Sequence, residues 1–99
     1  MSDTLGRDVV HALDLLLAER PEKVGNDFSD AVRRLVAWRE HLVLRWRNTG
    51  AEGDRMCLER VNAAISVLVG GQFPLGPVPW SHIERARQDM AALADAECS

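Results

Sequence analysis

The sequence predicts an all-α fold, a small antiparallel bundle of about four helices that forms one domain over residues 1–99. Apolar residues recur with a helical period wherever they are regular, and no segment alternates polar and apolar residues as a half-buried strand does. Four such segments follow one another through short connectors, which is typical of antiparallel bundles. A chain of 99 residues, 46% of them hydrophobic, is long enough to bury one core.

The first helix is predicted to run from about Thr4 to Arg20. Ser2, Asp3 and Thr4 are N-cap candidates, because their side-chain oxygens accept hydrogen bonds from the free backbone N–H groups of a first turn. Pro21 ends the segment, since proline disfavours helical geometry in the residue before it. The stripe expected to face the core consists of Leu5, Val9, Ala12, Leu13, Leu16 and Leu17.

The second and longest helix is predicted to start near Asp27 and to stop at the Asn-Thr-Gly of residues 48–50. Asp27 is a suitable cap, and Asp30 favours the positive end of the helix dipole. Its core face is expected to consist of Phe28, Val32, Leu35, Leu42, Val43 and Trp46.

The third helix is predicted to open at Asp54 and to close at Gly70-Gly71. Its core stripe is expected to be Cys57, Leu58, Val61, Ala64, Ile65 and Leu68. A second, weaker apolar stripe follows Met56, Ala63 and Val67, so this helix has two apolar sides. Either the helix lies centrally in the bundle, or the extra stripe is a dimer seam.

The fourth helix is predicted to begin at Ser81, because Ser-His-Ile-Glu has the spacing of a capping box between Ser81 and Glu84. Its core residues are expected to be Ile83, Ala86, Met90, Leu93 and Ala94.

A proline-rich apolar loop, GGQFPLGPVPW, precedes the fourth helix. Its three prolines hold the chain extended, so Phe73, Leu75 and Trp80 need a place to be buried. One interpretation is that these side chains fold back and close one end of the bundle. The other is that they form a docking surface for a second protein or a second copy, since proline-rich segments with aromatics are recurrent recognition elements.

Arg39 is predicted to lie in the middle of the apolar face of the second helix, with apolar residues three and four positions away on both sides. A guanidinium does not lose its proton, so it must reach solvent or meet an anion. One interpretation is an internal carboxylate or a side chain that extends to the bundle edge. The other is that Arg39 binds the carboxylate or phosphate of a ligand between helices.

Arg34, Trp38, His41 and Arg45 share one flank of the second helix. Basic and aromatic residues interleaved in this way are able to stack on bases and contact phosphates. The stripe is short, however, and the chain has a formal net charge of -3, which disfavours nucleic acid as a partner. A solvated flank, or one paired with carboxylates of other helices, is the alternative.

No catalytic residue, metal site or cofactor is predicted. The three histidines, His11, His41 and His82, fall on three different helices, and none has the Glu-x-x-His spacing of metal sites in bundles. The surroundings of His11 also lack the lysine and glycine that follow a phosphotransfer histidine, and no glycine-rich phosphate loop precedes a helix.

The two cysteines, Cys57 and Cys98, have no metal-ligand spacing and are expected to be reduced thiols of a cytoplasmic protein. The apolar run near the N-terminus is broken by His11 and Asp14 and follows acidic residues. This pattern is unlike a signal peptide or a membrane span, so no membrane association is expected.

The predicted function is contact with other proteins, as a homodimer or as a small acidic partner of a larger complex, for example one that masks a basic protein. The contact surface is expected to combine the proline-rich loop and the second helix, through Phe73, Leu75, Trp80, Leu44 and Trp38. The alternative is a small-molecule binder or enzyme that holds an anionic ligand between helices around Arg39.

Overall fold

The computed structural model describes residues 4–20, 26–72 and 76–96, and four α-helices make up nearly all of them. The helices are α1 (Thr4–Glu19), α2 (Asn26–Thr49), α3 (Glu52–Gln72) and α4 (Trp80–Asp95). The described residues contain no strand. The predicted all-α class and the number of helices are therefore confirmed.

The helices form a closed ring in which each one packs against two neighbours: α1 against α2 and α4, and α3 against the same two helices. Arg20, directly after α1, forms an ion pair with Glu84 near the start of α4. At the opposite end of the bundle, Gly6 near the start of α1 lies against Ala94 near the end of α4. These contacts show that α1 and α4 are antiparallel, as the bundle prediction requires.

One core runs through the bundle, and the faces predicted for α1, α3 and α4 supply most of it. Their fully or nearly fully buried side chains are Val9, Ala12, Leu13, Leu16, Cys57, Leu58, Val61, Ala64, Leu68, Ile83, Ala86, Met90 and Leu93. Leu5, Leu17, Ile65 and Ala94, which the periodicity places on the same faces, are partly buried against this cluster. Three of the four helices thus bury the side that their periodicity predicts.

The predicted face of α2 is right at Phe28, Leu35 and Leu42, and Val32 and Val43 pack partly buried against the core, but it is wrong at Trp46 and leaves out Trp38. The residues that α2 buries are Phe28, Ala31, Leu35, Trp38 and Leu42. Trp38 has no exposed surface, whereas Arg39 is exposed and Trp46 is 37% exposed. The physical reason is that the large indole of Trp38 contributes much apolar area, so the buried face extends from the predicted residues toward Trp38 and leaves Arg39 outside it.

The predicted capping box at Ser81 is also wrong. Helix α4 begins one residue earlier, with Pro79 as its N-cap and no side-chain hydrogen bond at the cap. The Pro79 carbonyl accepts hydrogen bonds from the backbone N–H groups of His82 and Ile83 at 3.1 and 3.2 Å. Glu84 instead binds Arg20 across the helix interface.

The bounds of α3 differ from the prediction at both ends. The helix starts at Glu52 and continues to Gln72, so that Gly70-Gly71 lies inside it instead of ending it. Asp54 lies within the first turn, where it accepts a hydrogen bond from the Thr49 hydroxyl at 2.5 Å and forms an ion pair with Arg45 at 3.0 Å. The carboxylate thereby joins the end of α2 to the start of α3.

Trp80 covers the end of the core at which α4 begins. Its ring centroid lies 5.8 Å from that of Phe28, the first buried residue of α2. The guanidinium of Arg20 lies over the same indole, 5.9 Å from its centroid. Trp80 thus packs against the core, while Phe73 and Leu75 lie outside the described residues, so the two interpretations of the proline-rich loop both stay predictions.

Cys57 is buried and disulfide-bonded, which contradicts the prediction of reduced thiols. The other cysteine of the sequence, Cys98, lies outside the described residues. No described helix combines the length and the hydrophobicity that crossing a membrane requires.

Candidate functional site

Three of the four helix interfaces are bridged by ion pairs between partly exposed side chains. Arginines reach carboxylates of the neighbouring helix at 3.9 Å between α2 and α1, 3.0 Å between α2 and α3, and 2.7 Å between α4 and α1. The pairs are Arg34 with Asp8, Arg45 with Asp54, and Arg87 with Asp14. Each pair spans the edge of a helix contact whose interior is apolar.

The fourth interface, between α3 and α4, differs from these. Over the described parts of the two helices, no ion pair crosses it, and the helices leave an open groove of about 420 Å³ between them. The groove is lined by Arg60, Ala63, Ala64, Val67, Ser81, His82, Arg85, Ala86, Asp89 and Met90. We call this surface the α3/α4 groove.

Small and apolar side chains form the floor of the α3/α4 groove. Ala63, Ala64 and Ala86 place methyl groups where larger side chains would fill the space between the helices. Val67 and Met90 complete the floor, and Met90 belongs to the buried core. Ala64, Ala86 and Met90 are already buried by the bundle, so the apolar surface that stays open in the groove comes from Ala63 and Val67.

The second apolar stripe predicted on α3 is the wall of this groove. Ala63 is exposed and Val67 is partly buried, and both line the groove. Met56, 47% exposed, extends the stripe into an adjoining groove of about 520 Å³, which Arg60 also lines. From Met56 to Val67 the stripe covers eleven positions, or about 16 Å along the helix axis.

The rim of the α3/α4 groove carries more positive than negative charge. Arg60 stands on α3, and Arg85, His82 and Asp89 stand on α4. None of these four side chains has a hydrogen bond or ion pair with any part of the chain that the structure describes. The two guanidiniums, which are always charged, are therefore available to an external anion.

Elsewhere on the molecule, arginines are mostly neutralised. Six of them form ion pairs with carboxylates in the described part of the chain: Arg20, Arg33, Arg34, Arg45, Arg55 and Arg87. Hydrogen bonding to Asp30 raises the pKa of Arg34, and hydrogen bonding to Glu52 raises the pKa of Arg55. Arg7, Arg39 and Arg47 also have no ion pair with a described residue, but of these five arginines Arg60 and Arg85 line the same groove.

The structure separates the residues that the sequence assigns to one contact surface. Trp38 is fully buried in the core, so its assignment to a contact surface is wrong. Leu44 is 59% exposed and lies sixteen positions beyond Phe28 on α2, about 24 Å along the helix. Because Trp80 stacks near Phe28, Leu44 and Trp80 lie toward opposite ends of the bundle.

Arg39 is not between helices. It is exposed, it has no ion pair with a described residue, and it lines neither the two grooves beside α3 nor the groove between α1 and α4. The basic and aromatic flank of α2 is likewise altered, since Arg34 and Arg45 bind carboxylates and Trp38 is buried. The flank is paired internally, as the alternative interpretation of that stripe predicts.

Sequence reasoning missed the rim residues of the α3/α4 groove, although a signal was present. His82, Arg85 and Asp89 recur at intervals of three and four, and Arg60 fits between Met56 and Ala63 at the same intervals. These spacings place each set on one side of its helix. They do not reveal that the two sides meet, because that depends on which interface of the ring stays open.

No group of three or more metal-binding side chains occurs among the described residues. No protein-family model matches the sequence, and comparison with curated proteins and with solved structures yields no match. Function is therefore inferred from the α3/α4 groove.

Proposed function

We propose that this protein is a protein-interaction module that binds a helical segment of another protein in the α3/α4 groove. The observation that carries the proposal is the contrast between this interface and the other three. Over the described residues, ion pairs bridge those three interfaces, whereas the α3/α4 interface leaves apolar floor and unpaired rim charges open.

The dimensions of the groove favour a helix as the occupant. Two helical walls with an apolar floor are the geometry in which a third helix packs, and an amphipathic helix in a groove is a recurrent recognition mode. The α4 wall of the groove, from Ser81 to Met90, is about 14 Å long and suits two to three turns of a partner helix. The small, exposed side chain of Ala63 permits close approach of that helix.

The predicted alternative, a small anionic ligand held around Arg39, has less support, because Arg39 lies on the exposed face of α2.

The cytoplasmic location predicted from the sequence rested on the expectation of reduced thiols, which Cys57 contradicts. A disulfide at Cys57 is typical of oxidising compartments, and it weighs against that location.

The test compares two matched substitutions of exposed alanines. Ala63→Gln places a long neutral side chain in the floor of the groove, and Ala37→Gln does the same on the exposed side of α2. Partners are captured with the wild-type protein, identified by mass spectrometry, and titrated as purified proteins. We expect Ala63→Gln to lower the affinity for the partner at least tenfold and Ala37→Gln to leave that affinity unchanged. Equal affinity for all three proteins would refute the groove as the binding site.

A further inference from the structure

We infer that the helix that occupies the α3/α4 groove is acidic, with carboxylates on both flanks of its apolar stripe to meet Arg60 and Arg85. This inference rests on the proposed function and adds the chemistry of the partner. It comes from the position of the two free guanidiniums, one on each wall of the groove.

The desolvation of the two arginines requires partner carboxylates. A helix that covers the apolar floor also removes water from the rim, where Arg60 and Arg85 have no anion among the described residues. A guanidinium that is desolvated without an anion destabilises the complex, whereas a carboxylate in bidentate contact stabilises it. An apolar or basic helix would therefore bind weakly in this groove.

The spacing of the two arginines sets the spacing of the carboxylates. Arg60 lines both the α3/α4 groove and the adjoining groove that Leu93 lines, whereas Arg85 lines the first alone, so Arg60 lies toward the part of α4 that is five to eight positions beyond Arg85. That offset is about 8–12 Å along the groove. The partner is thus expected to carry acidic residues on opposite flanks, about two turns apart.

The same charges argue against a second copy of this chain as the occupant. In a symmetric dimer through this groove, Arg60 and Arg85 of one copy would face the same surface of the other. Each copy offers one groove carboxylate, Asp89, against two guanidiniums. Like charges across an interface are destabilising, so an acidic helix is expected to bind the groove more tightly than a second copy of this chain does.

The test uses two synthetic amphipathic peptides of about fourteen residues with the same leucine stripe, one flanked by Glu and one by Lys. Binding is measured by fluorescence anisotropy at moderate salt. The wild-type protein is compared with Arg60→Glu/Arg85→Glu and with a control of the same charge change, Arg39→Glu/Arg47→Glu. The control arginines are exposed on α2 and, like the groove pair, have no ion pair in the described part of the chain. Circular dichroism verifies that each variant folds.

We expect the wild-type protein and the control to prefer the Glu peptide at least tenfold, and the groove variant to prefer the Lys peptide. If the wild-type protein binds both peptides equally and Ala63→Gln abolishes this binding, the inference of an acidic partner is overturned. The proposed function then still stands. If neither peptide binds the wild-type protein, the inference also fails. A solution dimer that Ala63→Gln dissociates would assign the groove to a second copy and overturn the inference.

Discussion

At Gly6, α1 lies against both α2 and α4. A Cβ atom built on Gly6 would lie 3.0 Å from the Ala94 methyl group of α4 and 3.0 Å from the Cζ2 atom of Trp38 on α2. Trp38 is fully buried, so its ring has no free space to move into. The absence of a side chain at Gly6 therefore allows α1 to lie against the indole.

Gly6→Ala is expected to destabilise the protein although alanine is the better helix former. Overpacking a filled core costs about 1–3 kcal/mol, which exceeds the helix-propensity gain of about 1 kcal/mol. Gly70→Ala is the control, because a Cβ there meets no atom within 4 Å and the residue lies within α3. Urea unfolding should show a lower midpoint for Gly6→Ala and a higher one for Gly70→Ala. A Gly6→Ala protein as stable as the wild type would contradict the close contact.

At the scale of the helices, the turn between α2 and α3 is held by a carboxylate with two partners. The Thr49 hydroxyl and then the Arg45 guanidinium hold the pKa of Asp54 below its ordinary value of 3.8. Both partners belong to the last turns of α2, and Asp54 belongs to the first turn of α3. Protonation of Asp54 therefore loosens the connection between two helices.

The lowered pKa of Asp54 predicts a loss of stability in acid with a definite sign. The unfolded chain takes up this proton at a higher pH than the folded protein, so folding is favoured above the unfolded pKa. That contribution disappears as the pH falls through the folded pKa. Urea midpoints measured at about pH 6 and about pH 3 should therefore fall less in Asp54→Asn than in the wild type.

Thr49→Ala separates the two partners of Asp54. It removes the hydroxyl that contributes most to the lowered pKa and leaves Arg45 in place. The urea midpoint of Thr49→Ala is expected to fall between the two pH values by less than that of the wild type and by more than that of Asp54→Asn. A pH dependence identical in all three proteins would show that Asp54 does not carry the acid effect.

Periodicity predicted the helices and most of their buried residues, and its errors on α2 have a physical cause. In α1, α3 and α4 most of the large apolar residues fall on one stripe, so helical spacing alone selects the core side. In α2 the apolar residues cover a wide arc, with Trp38 near one edge and Val32 and Val43 near the other. How far each edge is buried depends on how α2 packs between α1 and α3, and one helix's sequence does not contain that information.

At the scale of the whole molecule, the bundle combines an acidic total charge with a locally basic groove. The formal charge is -3, yet Arg60 and Arg85 on the walls of the α3/α4 groove have no ion pair with a described residue, and the groove carries one carboxylate, Asp89. Net charge predicts weak long-range attraction to anions and says nothing of such a local surface. The groove was not predictable from the sequence, because it requires knowing which arginines find carboxylates on neighbouring helices.

The disulfide at Cys57 has one candidate partner in the sequence of the chain. Cys98 is the only other cysteine of the sequence, so a disulfide within the chain would join Cys57 and Cys98. Such a bond closes a loop of about 40 residues, which stabilises the folded state by about 3–4 kcal/mol in the chain-entropy account. The relevant variant is Cys98→Ala, since Cys57 lies in the core and its replacement would disturb packing as well.

Cys98→Ala is expected to lower the melting temperature as much as reduction lowers that of the wild type, and a reductant should have no further effect on the variant.

Two mass measurements accompany the melting curves. Reduction should add two hydrogen atoms to the wild-type monomer and none to the variant, because the bond lies within one chain. A wild-type mass that reduction leaves unchanged would show that the thiols are free and would restore the redox argument for a cytoplasmic protein. A dimer that the reductant dissociates would place the bond between two copies.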